Sequence, residues 1–405
     1  MRDFSGEWAT TFGPMRLERD GERITGTYGR TEVRNTLSGR LVGSRLEFEY
    51  SEPTEAGTGW FDLVREGHFV GEYTPAGAAG PQPWSGNRGF DGIWNTSFGM
   101  VRLVESGGRV RGLLAAGGTI DGAIENGRLQ FHDIVPGPKG SGELTLGTEG
   151  YQIAGRWQAE GDVPAIEIGG VRVTAQPRLT WLIVLEAHWQ RLLAEREFAF
   201  GHMLGEIFAR YPHVEVRHRY FHDETSLLHW CRAVQMLAEP VVVVITSHGE
   251  AEGLHVMGGI IDSRRIIDTL ELADSLRLVH FSSCLVANGG ENALANPCFP
   301  VSGYTNSVDW MASALTEFTY LDMILGKGLS PTRAAEQVYK LIGFSGDTVA
   351  QDCPYPAAGF QLVPRKRTHA MGGGGGTMVA DASAQAGWGL LGRLGDLRDK
   401  LTGRG

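Results

Sequence analysis

Two stretches decide the fold: Val241-Val242-Val243-Val244-Ile245-Thr246-Ser247-His248-Gly249-Glu250 and Leu276-Arg277-Leu278-Val279-His280-Phe281-Ser282-Ser283-Cys284. Each is a short β-branched or apolar run without helical periodicity, which reads as a buried strand of a parallel sheet. Residues 262–271 between them read as a helix, with Asp262 or Ser263 as its N-cap. Strand, helix, strand at this spacing is a right-handed βαβ unit. His248 and Cys284 then leave the carboxyl ends of neighbouring strands, the edge where open α/β sheets place their sites. An imidazole beside a thiol is what a cysteine nucleophile requires.

The flanking sequence extends this pattern. Residues 179–185 read as a first strand, 189–211 as a helix ending before Pro212, and 213–220 as a second strand. Residues 224–238 read as a helix with Asp223 as a plausible cap. After Cys284, residues 300–305 read as a short fifth strand, followed by helices at 308–325 and 331–342, with Pro331 placed at a helix start. Alternating β and α imply a doubly wound, mostly parallel sheet over residues 179–363.

An apolar block ending in Ser247-His248-Gly249-Glu250, then one ending in Ser283-Cys284, resembles the caspase-like cysteine peptidases, a superfamily that includes caspases, metacaspases, separases, gingipains and bacterial CHAT domains. Gly253-Leu254-His255-Val256 and Ile261-Asp262, leading into the helix, are closest to the CHAT domains. The resemblance spans about residues 179–345. It implies a thiol protease with His248 as general acid/base and Cys284 as nucleophile. The backbone N–H groups of Gly249 and Cys284 would form the oxyanion hole, and a protein or peptide would be the substrate. Leu285-Val286-Ala287 stands where caspases have Arg-Gly, so Asp-directed cleavage is not implied. The loop that helps to shape the pocket in this superfamily matches residues 304–310. Asp309 there either pairs with a basic side chain or caps the following helix. Trp310 either walls the pocket or packs under the sheet.

The chemistry accounts for the residue types. Amide hydrolysis near neutral pH needs a nucleophile stronger than water, and a thiolate is one. Gly249 lets backbone approach the developing oxyanion. His248 titrates in the range that protonates a leaving amine. No third, orienting residue is evident. Cys298 reads as structural. His218 and His222 do not share a helix face, so no metal site is expected, and no cofactor.

The first half is a duplicated module. Phe4-Ser5-Gly6-Glu7-Trp8-Ala9-Thr10-Thr11-Phe12-Gly13 recurs as Phe90-Asp91-Gly92-Ile93-Trp94-Asn95-Thr96-Ser97-Phe98-Gly99. Gly39, Arg45-Leu46, Phe48 and Gly59 recur as Gly122, Arg128-Leu129, Phe131 and Gly142. Short alternating strands broken by Gly turns suggest two small antiparallel barrels or sandwiches, at residues 1–88 and 89–175. The opening hairpins resemble avidin-like and lipocalin-like barrels. That resemblance implies a ligand or target pocket lined by Trp8, Trp60 and Trp94; the other reading has these tryptophans filling the core.

Composition narrows the classes. A net charge of −10 argues against non-specific binding to nucleic acid or anionic membrane. No apolar run reaches membrane-spanning length, and the first residues lack a secretory apolar core. Four cysteines without a CxxC or zinc spacing suit a reducing cytoplasm. Residues 364–405 read as a flexible tail, with Gly372 to Gly376 as linker and a short amphipathic helix at 388–401. Arg365-Lys366-Arg367 beside that linker is a candidate self-cleavage site. The expected function is a caspase-like cysteine endopeptidase whose β modules recruit a target or sense a ligand. The alternative is a non-catalytic binding protein whose barrels hold the function. A transacylase or ligase on the same dyad is a third reading.

Overall fold

The computed structural model describes residues 3–30, 35–78, 80–134, 139–161, 164–188, 194, 199–288, 294, 298–308, 310–341, 344–345, 348–349 and 359–365. The chain forms two units, one of residues 1–178 with 236–239, the other of the remainder.

The first unit holds two closed antiparallel barrels of eight strands each. The first comprises β1 Gly6–Thr10, β2 Gly13–Asp20, β3 Arg23–Tyr28, β4 Asn35–Val42, β5 Arg45–Ser51, β6 Ala56–Arg65, β7 His68–Pro75 and β8 Gln82–Asn87. The second comprises β9 Gly92–Thr96, β10 Gly99–Ser106, β11 Arg109–Leu114, β12 Thr119–Glu125, β13 Arg128–Ile134, β14 Gly140–Leu146, β15 Gln152–Ala159 and β16 Ile166–Val173. Pairing of β1 with β8 and of β9 with β16 closes them, so closure, not sandwich packing, removes the sheet edges. The strands alternate inward and outward: on β5, Leu46, Phe48 and Tyr50 are buried between outward Glu47 and Glu49.

Eight strands leave an interior that side chains can fill, and here they do. Trp8, Phe48, Phe61, Phe69 and Trp84 pack edge-on or tilted inside the first barrel. The repeated glycines make room for this packing. A Cβ at Gly59 would stand 2.6 Å from Phe48 Cζ, and one at Gly142 would stand 2.5 Å from Phe131 Cζ. Trp8 and Trp94 are core residues, not pocket lining. Each is fully buried and donates its Nε1–H to a carbonyl four residues earlier, Phe4 O (2.7 Å) and Phe90 O (2.9 Å). An arginine lies over each ring, Arg88 on Trp8 and Arg172 on Trp94. Trp60 is half-buried on the outer face, under the guanidinium of Arg45, which forms a bidentate pair with Asp62.

The second unit is built on a six-stranded sheet in the order β18-β17-β19-β23-β24-β27. These are β17 Thr180–Ala187, β18 Val214–Phe221, β19 Val241–Thr246, β23 Leu276–Ser282, β24 Val301–Tyr304 and β27 Phe360–Val363. The first five run parallel, and β27 lies antiparallel on β24. The sequence reading did not anticipate β27. A small second sheet joins β20 Gly249–Glu250, β21 Gly253–Val256 and β22 Gly259–Ile261. The two-residue strands β25 Phe344–Ser345 and β26 Thr348–Val349 pair with each other.

Five helices among the described residues accompany the sheet: α1 Phe200–Phe208, α2 Glu224–Val234, α3 Ser263–Leu270, α4 Trp310–Leu321 and α5 Pro331–Leu341. A π turn, Asp322–Gly326, continues α4. On one sheet face Leu182, Val184, Val242, Val244 and Leu278 form a core with residues of α1, α4 and α5. On the other, Ile183, Leu185, Val243, Ile245, Val279 and Phe281 are also buried. Burial on both faces explains why β17, β19 and β23 read as unbroken apolar runs. Asp223 caps α2 in a reciprocal box with Ser226, and Asp262, one of the two expected residues, caps α3. Of the helix expected at 189–211, the helical part is Phe200–Phe208; residues 189–193 and 195–198 lie outside the described residues. No helix among the described residues is long and apolar enough to cross a membrane.

One buried polar group in the first unit has a pH consequence. His68 donates from Nδ1 to Asn87 Oδ1 (2.8 Å) and Gly86 O (3.1 Å), and burial, with the charge of Arg65 adding to it, pushes its imidazole down to about 3. Protons therefore bind the unfolded chain first. The contribution is complete above about pH 6.5 and declines by about 1.4 kcal/mol per unit as pH falls from there toward 3. Burial alone would raise the neighbouring Asp91 carboxyl, but Arg65, His68 and Arg102 together hold it below its ordinary value, so its contribution is lost only at lower pH, below about 4. Hydrogen exchange of the barrel strands between pH 7 and 4 should show the decline, and His68→Gln should flatten it. An equal slope in both proteins would contradict this assignment.

Candidate active site

The register of the sheet sets the site. β19 and β23 pair Val241 with Leu276 but Val242 with Leu278, so Arg277 is an extra residue and forms a bulge. From there the ladder runs without slip to Thr246 opposite Ser282. Two residues further along each chain stand His248 and Cys284. Neighbouring strands lie about 4.8 Å apart, so both side chains leave one rim of the sheet. His248 is exposed and Cys284 partly exposed.

The two turns interlock. Ser247 N–H donates to Ser283 Oγ (3.2 Å), tying the approach to His248 to the approach to Cys284. Gly249 packs directly on the second turn. A Cβ there would collide with the Cys284 carbonyl oxygen and stand 2.9 Å from Ser283 Cβ and 3.0 Å from Val286 Cγ2. The glycine is therefore required by close approach of the Cys284 turn, a reason distinct from the access to an oxyanion expected from the sequence.

The chain after Cys284 is held by the strand beside it. Leu285 adopts φ of 60°, a left-handed conformation that a branched side chain rarely takes. Leu285 N–H donates to Asn306 O (3.2 Å) and Ala287 N–H to Tyr304 O (2.9 Å). Val308 N–H points at the sulfur, 3.3 Å from Sγ. The loop beyond β24 thus wraps the candidate nucleophile. Trp310 opens α4 just past it, nearly half exposed, with its ring edge-on to Phe200. Asp309 lies outside the described residues, as do Cys353 and the tail from residue 366, which includes Lys366 and Arg367.

Two groups escaped the sequence reading. The first is Glu250 with His255. His255 N–H donates to His248 O (2.8 Å), continuing the β20–β21 ladder so that His248 stands directly across from His255. Cross-strand partners share a face, and Glu250, two residues on, shares it too. His255 Nε2 lies 2.7 Å from Glu250 Oε1, both half exposed. The signal was faint: a His six residues after a His-Gly, in a hairpin whose register the sequence does not give. The second group is buried beneath the site around Glu317, a helix residue with nothing local to mark it.

Other candidates are placed apart from this rim or lack reactivity. Cys231 is buried on α2, and burial pushes its thiol up to about 12. Cys298 is exposed. His218 pairs through Nε2 with buried Glu186 (2.8 Å), whose carboxylate also accepts from Phe200 N and Gly201 N at the start of α1. Among the described residues no group of three or more His, Cys, Asp or Glu could hold a metal ion. No protein-family model matches the chain, and no curated protein matches it either.

The packing of Gly249 gives a direct test. Gly249→Ala should force the two turns apart, lower stability by about 1–3 kcal/mol, and slow alkylation of Cys284 by iodoacetamide. Thermal unfolding and peptide mass spectrometry read both effects; a variant matching wild type in both would contradict the interlock.

Proposed function

We propose that the chain is a cysteine endopeptidase of the caspase-like type. The observation that carries this reading is the shared rim: His248 and Cys284 continue one parallel ladder by the same two residues, with Gly249 seated on the nucleophile's own turn. The sheet order supports it as well. The chain steps from β17 outward to β18, then back past it to β19, so the direction reverses beside β19, and ligands of open α/β sheets bind at such reversals.

In this mechanism Cys284 Sγ, as thiolate, attacks the scissile carbonyl carbon. The Val308 N–H lies 3.3 Å from this sulfur and helps to hold it in place. Negative charge moves to the carbonyl oxygen, which accepts from the backbone N–H groups of Gly249 and Cys284. Gly249 occupies a non-hydrogen-bonded position of the β20–β21 ladder, so its N–H points away from β21. The C–N bond breaks, His248 protonates the leaving amine, and a thioester remains on Cys284. Water, deprotonated by His248, then attacks the thioester, releases the acid and restores the thiolate beside a protonated His248. An amine in place of water would make the same centre a transacylase.

Trp310 and the loop before it, including Asp309, are assigned to substrate contact. The barrels are assigned to target recruitment. Their interiors are filled by aromatic and aliphatic side chains, which favours their outer faces for that role.

Digestion of a peptide library tests the reading. Wild type should cleave, and Cys284→Ala and His248→Ala should each lose on the order of a thousandfold or more. Equal cleavage by all three, or none by wild type, would contradict it and leave the barrels as the functional part.

A further inference from the structure

We infer that Glu317 is a positioning residue for Cys284: its buried carboxylate clamps the strand that delivers the nucleophile to the strand that flanks it. This rests on the peptidase reading and deepens it.

Glu317 lies on α4 among Ala314, Tyr320 and Leu321, facing the core, where an apolar side chain would fill the space at no electrostatic cost. Its side chain is fully buried, and no Lys or Arg offsets its charge among the described ion pairs. Burial of a carboxylate on these terms is costly unless the group does something an apolar residue cannot. Its bonds show what that is. Glu317 Oε1 accepts from Ser282 Oγ–H (2.8 Å) and from Tyr304 O–H (3.0 Å). His280 Nε2 lies 3.4 Å away, and His280 is joined through Nδ1 to Ser302 Oγ (2.9 Å). Glu317 Oε2 has no hydrogen-bond partner among the described residues.

Ser282 is two residues before Cys284. Tyr304 ends β24, and its carbonyl accepts from Ala287, three residues after Cys284. One oxygen therefore ties down both sides of the nucleophile's turn. The same helix begins at Trp310, two residues along the chain from Val308, whose N–H lies 3.3 Å from Sγ. Glu317 thus fixes the position of α4 against β23 and β24 together, and with it the contact between the sulfur and its N–H donor. A hydrophobic residue would fill the volume but leave Ser282 and Tyr304 without their shared acceptor.

The test is iodoacetamide labelling of the full chain at pH 7, with Cys284, Cys298 and Cys231 resolved by mass spectrometry. Cys231, buried, labels only when the fold opens and so reports folding in the same sample. Glu317→Leu should lower the Cys284:Cys298 labelling ratio at least about tenfold, as misplacement of a reacting group by about an ångström does. Cys231 should stay protected. Glu317→Gln keeps an oxygen acceptor at the same place and should restore the ratio to within about twofold of wild type, a rescue that loss of packing would not give. If Glu317→Leu exposes Cys231, Ser282→Ala and Tyr304→Phe decide, each expected to lower the ratio about threefold. A wild-type ratio in Glu317→Leu, or in both single-donor variants, overturns the assignment, and so does a Glu317→Gln ratio as low as that of Glu317→Leu. The peptidase reading fails separately, by wild-type Cys284 labelling no faster than Cys298.

Discussion

The parallel ladder between β19 and β23 is the constraint on which the site depends. Side chains in a strand alternate faces, so a slip of one residue would turn Cys284 away and bring Ser283 to its place. The bulge at Arg277 supplies that one residue. It lies at the far end of the strand from the chemistry, where the extra residue disturbs little. Five ladder pairs then carry the offset to the rim, held by strands buried on both faces. Thus the position of the sulfur is fixed by backbone pairing and core packing more than by contacts of its own.

What surrounds the rim follows from that geometry. Two chains leaving adjacent strands must diverge without a clash, which demands a residue with no side chain at Gly249. The turn after Cys284 must fold back sharply, and Leu285 accepts a positive φ to do so. Strain of this kind persists only where neighbours over-determine it, and the carbonyls of Tyr304 and Asn306 do that here. The first unit reaches order by another route. Its barrels pair repeated glycines with repeated aromatics, so closure and interior filling are specified by the same positions.

Much of this could be read from the residues. The β-branched run of β19 and the apolar run of β23 gave the buried strands, because burial on both faces leaves no regular polar alternation. Asp223 and Asp262 gave helix starts through their capping chemistry. The doubled Phe-x-Gly-x-Trp openings gave two modules. The alternatives left open and the features missed have physical causes. Barrel and sandwich share the same alternation, and only long-range pairing of β1 with β8 distinguishes them. The four-residue β27 sits past a long connection, and its partner β24 carries no mark of an extra neighbour. For Trp8 and Trp94 the sequence left pocket and core both open, because an aromatic inside a barrel looks the same whether the interior is open or filled; both fill the core. Trp60 lies one position from buried Phe61, and parity alone sends it outside. Glu317 read as an ordinary polar residue of a helix; its burial depends on α4 packing beside Ser282 and Tyr304, which no local pattern records.

The central claim is that His248 and Cys284 act on one another at one rim. The most direct measurement is the partition of a limiting iodoacetamide label among the cysteines of wild type and of His248→Ala. The account predicts that Cys284 takes the label first in wild type and loses that lead in the variant. A lead that survives removal of the imidazole, or that never existed over Cys298, would contradict it.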